Sequence, residues 1–369
     1  MKNLLFICFI AAGFILATSC TTTNNRELNM PSITTVAATI TAGQVSAGGN
    51  IPTDGGSIIT EAGICYDTIS NVTIAKNKTV VAHTFGGPFS AVLDKAKMGK
   101  TYYYRAYATN AIGTTYGSEM SIYVPIAING FTKSSQVAPS NLVGYWAFEN
   151  SYIDSVSNTV GTGVNTTFVP GVKGKAMQGG ANGYMISNMT TAVKNLQSFT
   201  ISFWLYTSNT NNGLITPICF SRSDQFWGAF EMFYENGGRT ATTANLKVHV
   251  NAQSEAWFTN GWITNPWDTW VPIELTYDAA TSTFTLYQNG VSVATTIASG
   301  LGNLVFPATA TNIIFGTEQF QCTPSLGTAG GPQGWASYLT GKLDQVRIYN
   351  KALSVLELQA LAGLEKYGL

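Results

Sequence analysis

Charge is the first thing this sequence has little of. Only 10% of its residues are Asp, Glu, Lys or Arg, and the two signs balance at 19 each. No net field draws such a chain to nucleic acid or to an anionic membrane surface, so the expected partner is neutral. Histidine is limited to His83 and His249, and no CxxC spacing or histidine cluster marks a zinc site. Five cysteines in 369 residues are too few for the disulfide framework that staples small secreted domains. No apolar run after the first 20 residues is long enough to be a membrane-spanning helix. Helical periodicity is also sparse before the C-terminus.

What is present begins at the N-terminus. Lys2 precedes an apolar run from Leu4 to Leu16 that ends in Ala17, Thr18, Ser19 and Cys20. This is the layout of a signal peptide over 1–19, and the run is too short to span a bilayer comfortably. Small residues before a cysteine resemble the bacterial lipobox. That resemblance implies cleavage before Cys20 and acylation of its thiol and new amino group, which would tether the protein to a membrane. Ordinary secretory cleavage, with Cys20 a bystander, is the alternative. An outer-membrane lipid anchor at Cys20 follows from the first reading. Its facing, cell surface or periplasm, stays open, because 21–25 lack an acidic cluster resembling a surface-export signal. Of the other cysteines, Cys65 reads as a small buried apolar side chain, and Cys219 and Cys322 either pair or remain thiols.

Aromatic residues at 12% and 37 glycines suit short strands joined by tight turns, so an all-β fold is expected. Three textures follow the signal. Residues 20–30 are polar and without period, a tether. Residues 31–124 alternate strand patterns with turn clusters at 42–43, 48–50, 54–56 and 86–88. Within Thr101–Asn110, Tyr102, Tyr104, Ala106 and Ala108 fall on one strand face, and Tyr103, Arg105 and Tyr107 on the other. This stretch, with Thr53–Gly56, Glu61–Tyr66 and Asn110–Gly117, resembles the fibronectin type III-like modules of Bacteroidetes lipoproteins. The resemblance implies a β-sandwich used as a spacer. Residues 125–140, between Pro125 and Pro139, are expected to be a linker.

The second domain is expected over 141–369. It opens on the strand pattern of Leu142–Phe148, and Phe199–Leu205 alternates cleanly. Asn289-Gly290 signals a hairpin whose turn needs positive φ at both positions. Ser354 followed by Glu357 is a capping box that starts a short C-terminal helix. The closing pattern Gly341, Leu343, Asp344, Val346, Arg347, Ile348, Tyr349, Asn350, Leu353, Ser354, with Tyr145, Trp146 and Phe148 at the opening, resembles the laminin G-like, concanavalin A-like family. That resemblance implies a jelly roll of two stacked antiparallel sheets, often carbohydrate-binding or adhesive and sometimes calcium-stabilised.

No catalytic residue is expected. Paired carboxylates of a glycosidase lie about 5–10 Å apart, and no E-x-D-x-x-E motif occurs. Glu231 and Glu235 sit at i, i+4 on a strand, about 13 Å apart. His249, without a companion in a recognisable triad motif, reads as an ordinary strand residue. Among eight tryptophans, Trp146, Trp204 and Trp270 occupy strand positions expected in the core. Trp227, Trp257, Trp262, Trp267 and Trp335 lie in stretches rich in Gly, Asn, Pro and Ser, three of them in one expected inter-strand insertion over 256–268. Sugar rings stack their C–H faces on indoles while their hydroxyls seek amides and carboxylates, so these five are the candidate glycan-binding residues. The alternative is that the rings pack beneath their own loops. Glu149, Asp154 and Asp344 are the candidate ligands of a structural calcium, against the ordinary reading of surface polarity and turn capping. Two functions remain: an envelope lipoprotein binding a polysaccharide, or an adhesin or structural envelope protein binding a protein partner.

Overall fold

The computed structural model describes residues 27–41, 43–82, 86–235, 237 and 239–369. The signal peptide, Cys20 and the first part of the tether lie outside the described residues, as does His83. The chain divides into two compact units that meet between Val124 and Pro125. No helix among the described residues is long and apolar enough to cross a membrane.

The first unit is a pair of antiparallel sheets. One joins Ser32–Thr41, Gln44–Thr53 and Gly87–Val92; the other is built around Lys100–Thr109, flanked by Glu61–Asp67 and by Thr114–Tyr116 and Met120–Val124. Alternation along Lys100–Thr109 places Tyr102, Tyr104, Ala106 and Ala108 in the core shared by the two sheets. Tyr107, on the opposite face, is buried with Cys65 and Val72. Both kinds of buried phenol find polar partners: Tyr107 donates to Glu61 Oε1 at 2.7 Å, and the Tyr104 hydroxyl accepts the Ala38 N–H at 2.7 Å. Cys65 is a buried free thiol.

The second unit is a concanavalin A-like jelly roll with a short C-terminal helix. Its seven-stranded sheet runs in the order Thr162–Val164, Tyr184–Asn188, Asn312–Phe315, Ile215–Phe220, Phe230–Tyr234, Thr243–Asn251, Glu255–Thr264. Its eight-stranded sheet is centred on Phe199–Thr207, paired on one side with Gly341–Tyr349 and on the other with Trp270–Asp278. Phe199, Ile201, Phe203 and Leu205 point inward and meet Phe220, Phe230 and Met232 of the facing sheet in one continuous core. Trp146 lies in that core, 1% exposed. The Asn289-Gly290 turn joins Thr283–Gln288 to Val291–Ile297, with φ of 57° and 66°.

Trp204 points the other way, to the outer face, where the helix Val355–Lys366 lies. Its indole N–H donates to Glu365 Oε2 at 2.8 Å, and the same carboxylate is ion-paired with buried Arg347. The helix starts at the capping box of Ser354 and Glu357. The segment 125–140 is not a free linker. Ile126, Ile128, Phe131 and Val137 pack against Leu358, Leu361 and Leu364, and the Ser134 hydroxyl donates to the Leu369 carbonyl at 2.7 Å. The helix needs cover on its second apolar side, and the apolar residues of this segment supply it. Trp270 is half-buried rather than in the core, its ring 5.9 Å from Tyr206.

Glu274, 1% exposed on Trp270–Asp278, accepts only the Gly290 N–H; its Oε1 has no hydrogen-bond partner among the described residues. Burial pushes its pKa up to about 8. Below pH 4.5 the carboxyl is protonated folded or unfolded. As pH rises towards 8 the unfolded chain ionises freely while the folded one resists, so stability falls across that window. Glu274→Gln is therefore expected to stabilise the second unit at pH 8 by about 2–4 kcal/mol, with the gain fading towards pH 5. Denaturant titrations of both proteins at about pH 5 and pH 8 check it.

Candidate functional site

The outer face of the seven-stranded sheet is where the sequence departs most from simple in-out alternation. In Phe230–Tyr234 all five residues are buried. Phe230, Met232 and Tyr234 belong to the core, so Glu231 and Phe233 project outward into a second buried layer. Cross-strand register then assembles a row from distant parts of the chain. Cys219 faces Ile314 on one side and Glu231 on the other, Glu231 faces His249, and His249 faces Trp257. Directly opposed side chains on one face lie about 5 Å apart, so this row is a chain of contacts.

Its members bond accordingly. Glu231 Oε2 lies 2.6 Å from His249 Nδ1, both side chains are 0% exposed, and Glu231 Oε1 accepts the Gly228 N–H. His249 Nε2 lies 3.0 Å from Glu255 Oε1, whose side chain is 60% exposed. The Trp257 indole N–H donates to that same oxygen at 3.1 Å, and its ring lies over the imidazole, centroids 3.9 Å apart and 15° from parallel. Burial raises the pKa of Glu231 and lowers that of His249, with Glu255 opposing the latter, so both effects favour a neutral pair. The expectation that His249 is an isolated strand residue is corrected: it links a buried glutamate to an exposed one.

Two segments cover the row, one following Ile215–Phe220 and one following Asn312–Phe315. They bring Phe226, Trp227, Phe320 and Trp335 together. Trp227 lies 6.1 Å from Phe233 and nearly parallel to it, meets Trp257 edge-on at 6.4 Å, and lies 5.7 Å from Trp335. Phe320 lies 5.5 Å from Trp227 and 5.3 Å from Trp335. Offset and edge contacts of this kind hold rings rigidly.

Of the five expected tryptophans, Trp227, Trp257 and Trp335 therefore meet in one cluster. The supposed insertion over 256–268 is largely a strand, Glu255–Thr264, at the edge of the sheet. Phe258 and Ile263 enter the core, while Trp257 and Trp262 point outward. A bulge opposite Leu246 to Val248 restores the alternation between them. Trp257, Trp262 and Trp335 are 41%, 45% and 45% exposed. Trp267 stands apart and is half-buried: its indole N–H donates to the Thr240 carbonyl at 2.8 Å, Tyr234 lies 5.7 Å away, and the Arg239 guanidinium sits 4.1 Å from its ring. With Asn209, Thr240 and Asp268 it lines a separate hollow of about 630 Å³.

The acidic trio does not form a ligand set among the described residues. Asp154 Oδ1 accepts the Tyr145 and Val156 N–H groups, Asp344 Oδ2 those of Val172 and Lys173, and Glu149 Oε2 that of Lys175. Each carboxylate accepts backbone amides through one of its two oxygens, which is the turn-capping role that the sequence weighed against a calcium site. The group that does converge is Cys219, Glu231 and Glu318, all buried. Cys219 and Cys322 are free, buried thiols in one apolar cluster.

Phe226, Phe233, Phe320, Glu255 and Glu318 escaped the sequence reading. One signal was available: His249 and Trp257 flank a short turn, and a tight hairpin there places them face to face.

With this geometry in view, residues 178–359 match the family model described as the concanavalin A-like lectin/glucanases superfamily. No curated protein matches this chain. Similar solved structures include domain 4 of AbnA, an extracellular arabinanase of Geobacillus stearothermophilus, in complex with arabinotriose: 15% identity, 60% of this chain and 98% of that one, TM-score 0.41. The heptameric SAP-like pentraxin of Limulus polyphemus shares 19% identity over 45% of this chain and 70% of its own, TM-score 0.34. CBM40 of the Ruminococcus gnavus IT-sialidase, bound to α2,3-sialyllactose, shares 14% identity over 55% and 95%, TM-score 0.36. The ligands named are those of the respective proteins.

Exposure orders the tryptophans in a way that solution chemistry reads directly. Hydroxyl-radical footprinting with mass spectrometry is expected to label Trp257, Trp262 and Trp335 fastest and Trp146 and Trp204 slowest. Equal protection of all five would contradict the arrangement.

Proposed function

We propose that this protein is a non-catalytic envelope lipoprotein that binds a neutral polysaccharide on the outer face of the seven-stranded sheet of its second unit. The observation that carries the reading is the pair of solvent-facing indoles Trp257 and Trp335 braced by Trp227. Flat, apolar and prevented from turning, they suit the C–H face of a pyranose or furanose ring. Glu255 lies at the rim with its carboxylate largely exposed, and the Lys247–Glu235 ion pair lies on the neighbouring strands, so polar groups are available for sugar hydroxyls. Trp262 extends the surface along the same strand. The match of 178–359 to a lectin-containing superfamily supports the same class of ligand.

Binding without hydrolysis is supported by the placement of acid groups. Glu231 and Glu318, buried beneath the platform, are closed to a glycosidic oxygen. The envelope location rests on the Lys2 to Cys20 signal, with Cys20 as the lipid anchor. The two-sheet first unit supports a fibronectin type III-like spacer between anchor and platform.

Alanine at Trp257 or at Trp335 is expected to weaken retention by soluble neutral polysaccharides in affinity electrophoresis about tenfold, equivalent to about 1.4 kcal/mol, with circular dichroism unchanged. Tyr123→Ala, which removes an exposed ring from the first unit, is expected to bind as the parent does. Undiminished retention in both tryptophan variants would remove this face as the platform.

A further inference from the structure

Beneath the aromatic surface lies a group of side chains that glycan binding does not use. Cys219 comes from Ile215–Phe220, Glu231 from Phe230–Tyr234 and Glu318 from the segment after Asn312–Phe315. One donor atom of each lies within 4.8 Å of the other two, and all three residues are 0% exposed.

Two carboxyls and a thiol in such proximity, sealed from water, are costly in any ionised state without a cation. Among the described residues no lysine or arginine forms an ion pair with either carboxylate. Glu318 Oε1 accepts the Thr216 hydroxyl at 2.6 Å, but its Oε2 is buried without a hydrogen-bond partner among the described residues. Glu231 is held from behind by His249 and the Gly228 amide. Gly228 is required first by the Phe220 carbonyl oxygen, 2.5 Å from where its Cβ would lie, and that Cβ would also lie 2.8 Å from Cys219 Sγ and 3.0 Å from Glu231 Oε1. A glycine that keeps space beside a thiol and a carboxylate, an orphaned carboxylate oxygen, and an imidazole orienting one of the acids make up the surroundings of a metal ligand set.

We infer that Cys219, Glu231 and Glu318 bind a divalent transition ion of zinc type, with His249 orienting Glu231 from outside the ligand set. The mixed donor set selects the ion. A thiolate disfavours calcium and magnesium, whereas zinc and cobalt accept sulfur and carboxylate oxygen together. A thiol and two carboxyls must give up their protons to ligate, so the ion displaces protons as it binds. Full burial means that the ion is acquired as the unit folds and is then retained. The site is independent of the carbohydrate reading, because none of its donors reaches the surface.

The test uses the whole protein, produced in minimal medium supplemented with zinc, with cobalt or with neither, then washed with chelator. Expected are one retained ion per chain by metal analysis, a thiolate-to-cobalt charge-transfer band in the cobalt sample, and a Tm higher by about 5 °C or more in the loaded samples. Cys322→Ser should keep the band and Cys219→Ser should lose it. No retained metal with an unchanged Tm in the parent protein, or a band that persists in Cys219→Ser, overturns the proposal. The parent comparison decides the matter even where Cys219→Ser fails to fold.

Discussion

The register between Thr243–Asn251 and Glu255–Thr264 is the constraint on which the site depends. The turn between these strands sets His249 opposite Trp257 and Asn245 opposite Trp262. Because side chains alternate with a period of two, a slip of one residue would turn both indoles inward and expel Phe258 and Ile263. The core prevents that slip, since those two residues fill space between the sheets. The bulge in the middle of the pair then keeps the second indole on the same face as the first. Packing inside the sandwich thus fixes what the sandwich presents outside.

The outer face works in two layers. Below is a polar floor in which Glu231, His249 and Glu318 are closed to solvent; above is a ceiling of aromatic rings. His249 belongs to both, bonded to Glu231 through one nitrogen and stacked under Trp257. Without a bound cation, burial that raises a carboxyl's pKa and lowers an imidazole's favours the neutral forms, and with one the ion's own charge balances the carboxylates, so in either case the rings close over no isolated charge. Trp257 is held by the imidazole beneath it, and Trp335 by Trp227 and Phe320 of the covering segments. Preorganised rings lose little freedom when a ligand arrives, which is the advantage of bracing the platform from several sides.

Much of the fold was legible in the chain. The alternation in Phe199–Leu205 and Tyr102–Ala108, the Asn289-Gly290 turn, the Ser354–Glu357 box and the closing pattern from Gly341 are local features, and local features are what a sequence displays. Of the five tryptophans that polar neighbours marked as exposed, Trp257, Trp262 and Trp335 are so, and Trp227 is half-buried under the rings around it. Trp267 has the same kind of neighbours yet is tied down by Thr240 and Arg239, a contact across 27 residues that spacing does not show. Segment 125–140 has linker composition, but its apolar residues find a helix near the far end of the chain. Glu149, Asp154 and Asp344 were legible as acidic residues near the opening and closing strands, whereas the backbone amides that each of them accepts come from the fold around them. The row from Cys219 to Trp257, with Glu318 beside it, is assembled entirely by sheet order, so no window of the chain contains it.

The central claim is that a carbohydrate rests on the indoles of Trp257 and Trp335. Indole N–H resonances of all eight tryptophans in ¹⁵N-labelled protein, followed during titration with neutral oligosaccharides, test it most directly. The account predicts saturable shifts at Trp257 and Trp335, smaller ones at Trp227, and none at Trp146 or Trp204. Binding that leaves Trp257 and Trp335 unmoved while shifting signals elsewhere would contradict it.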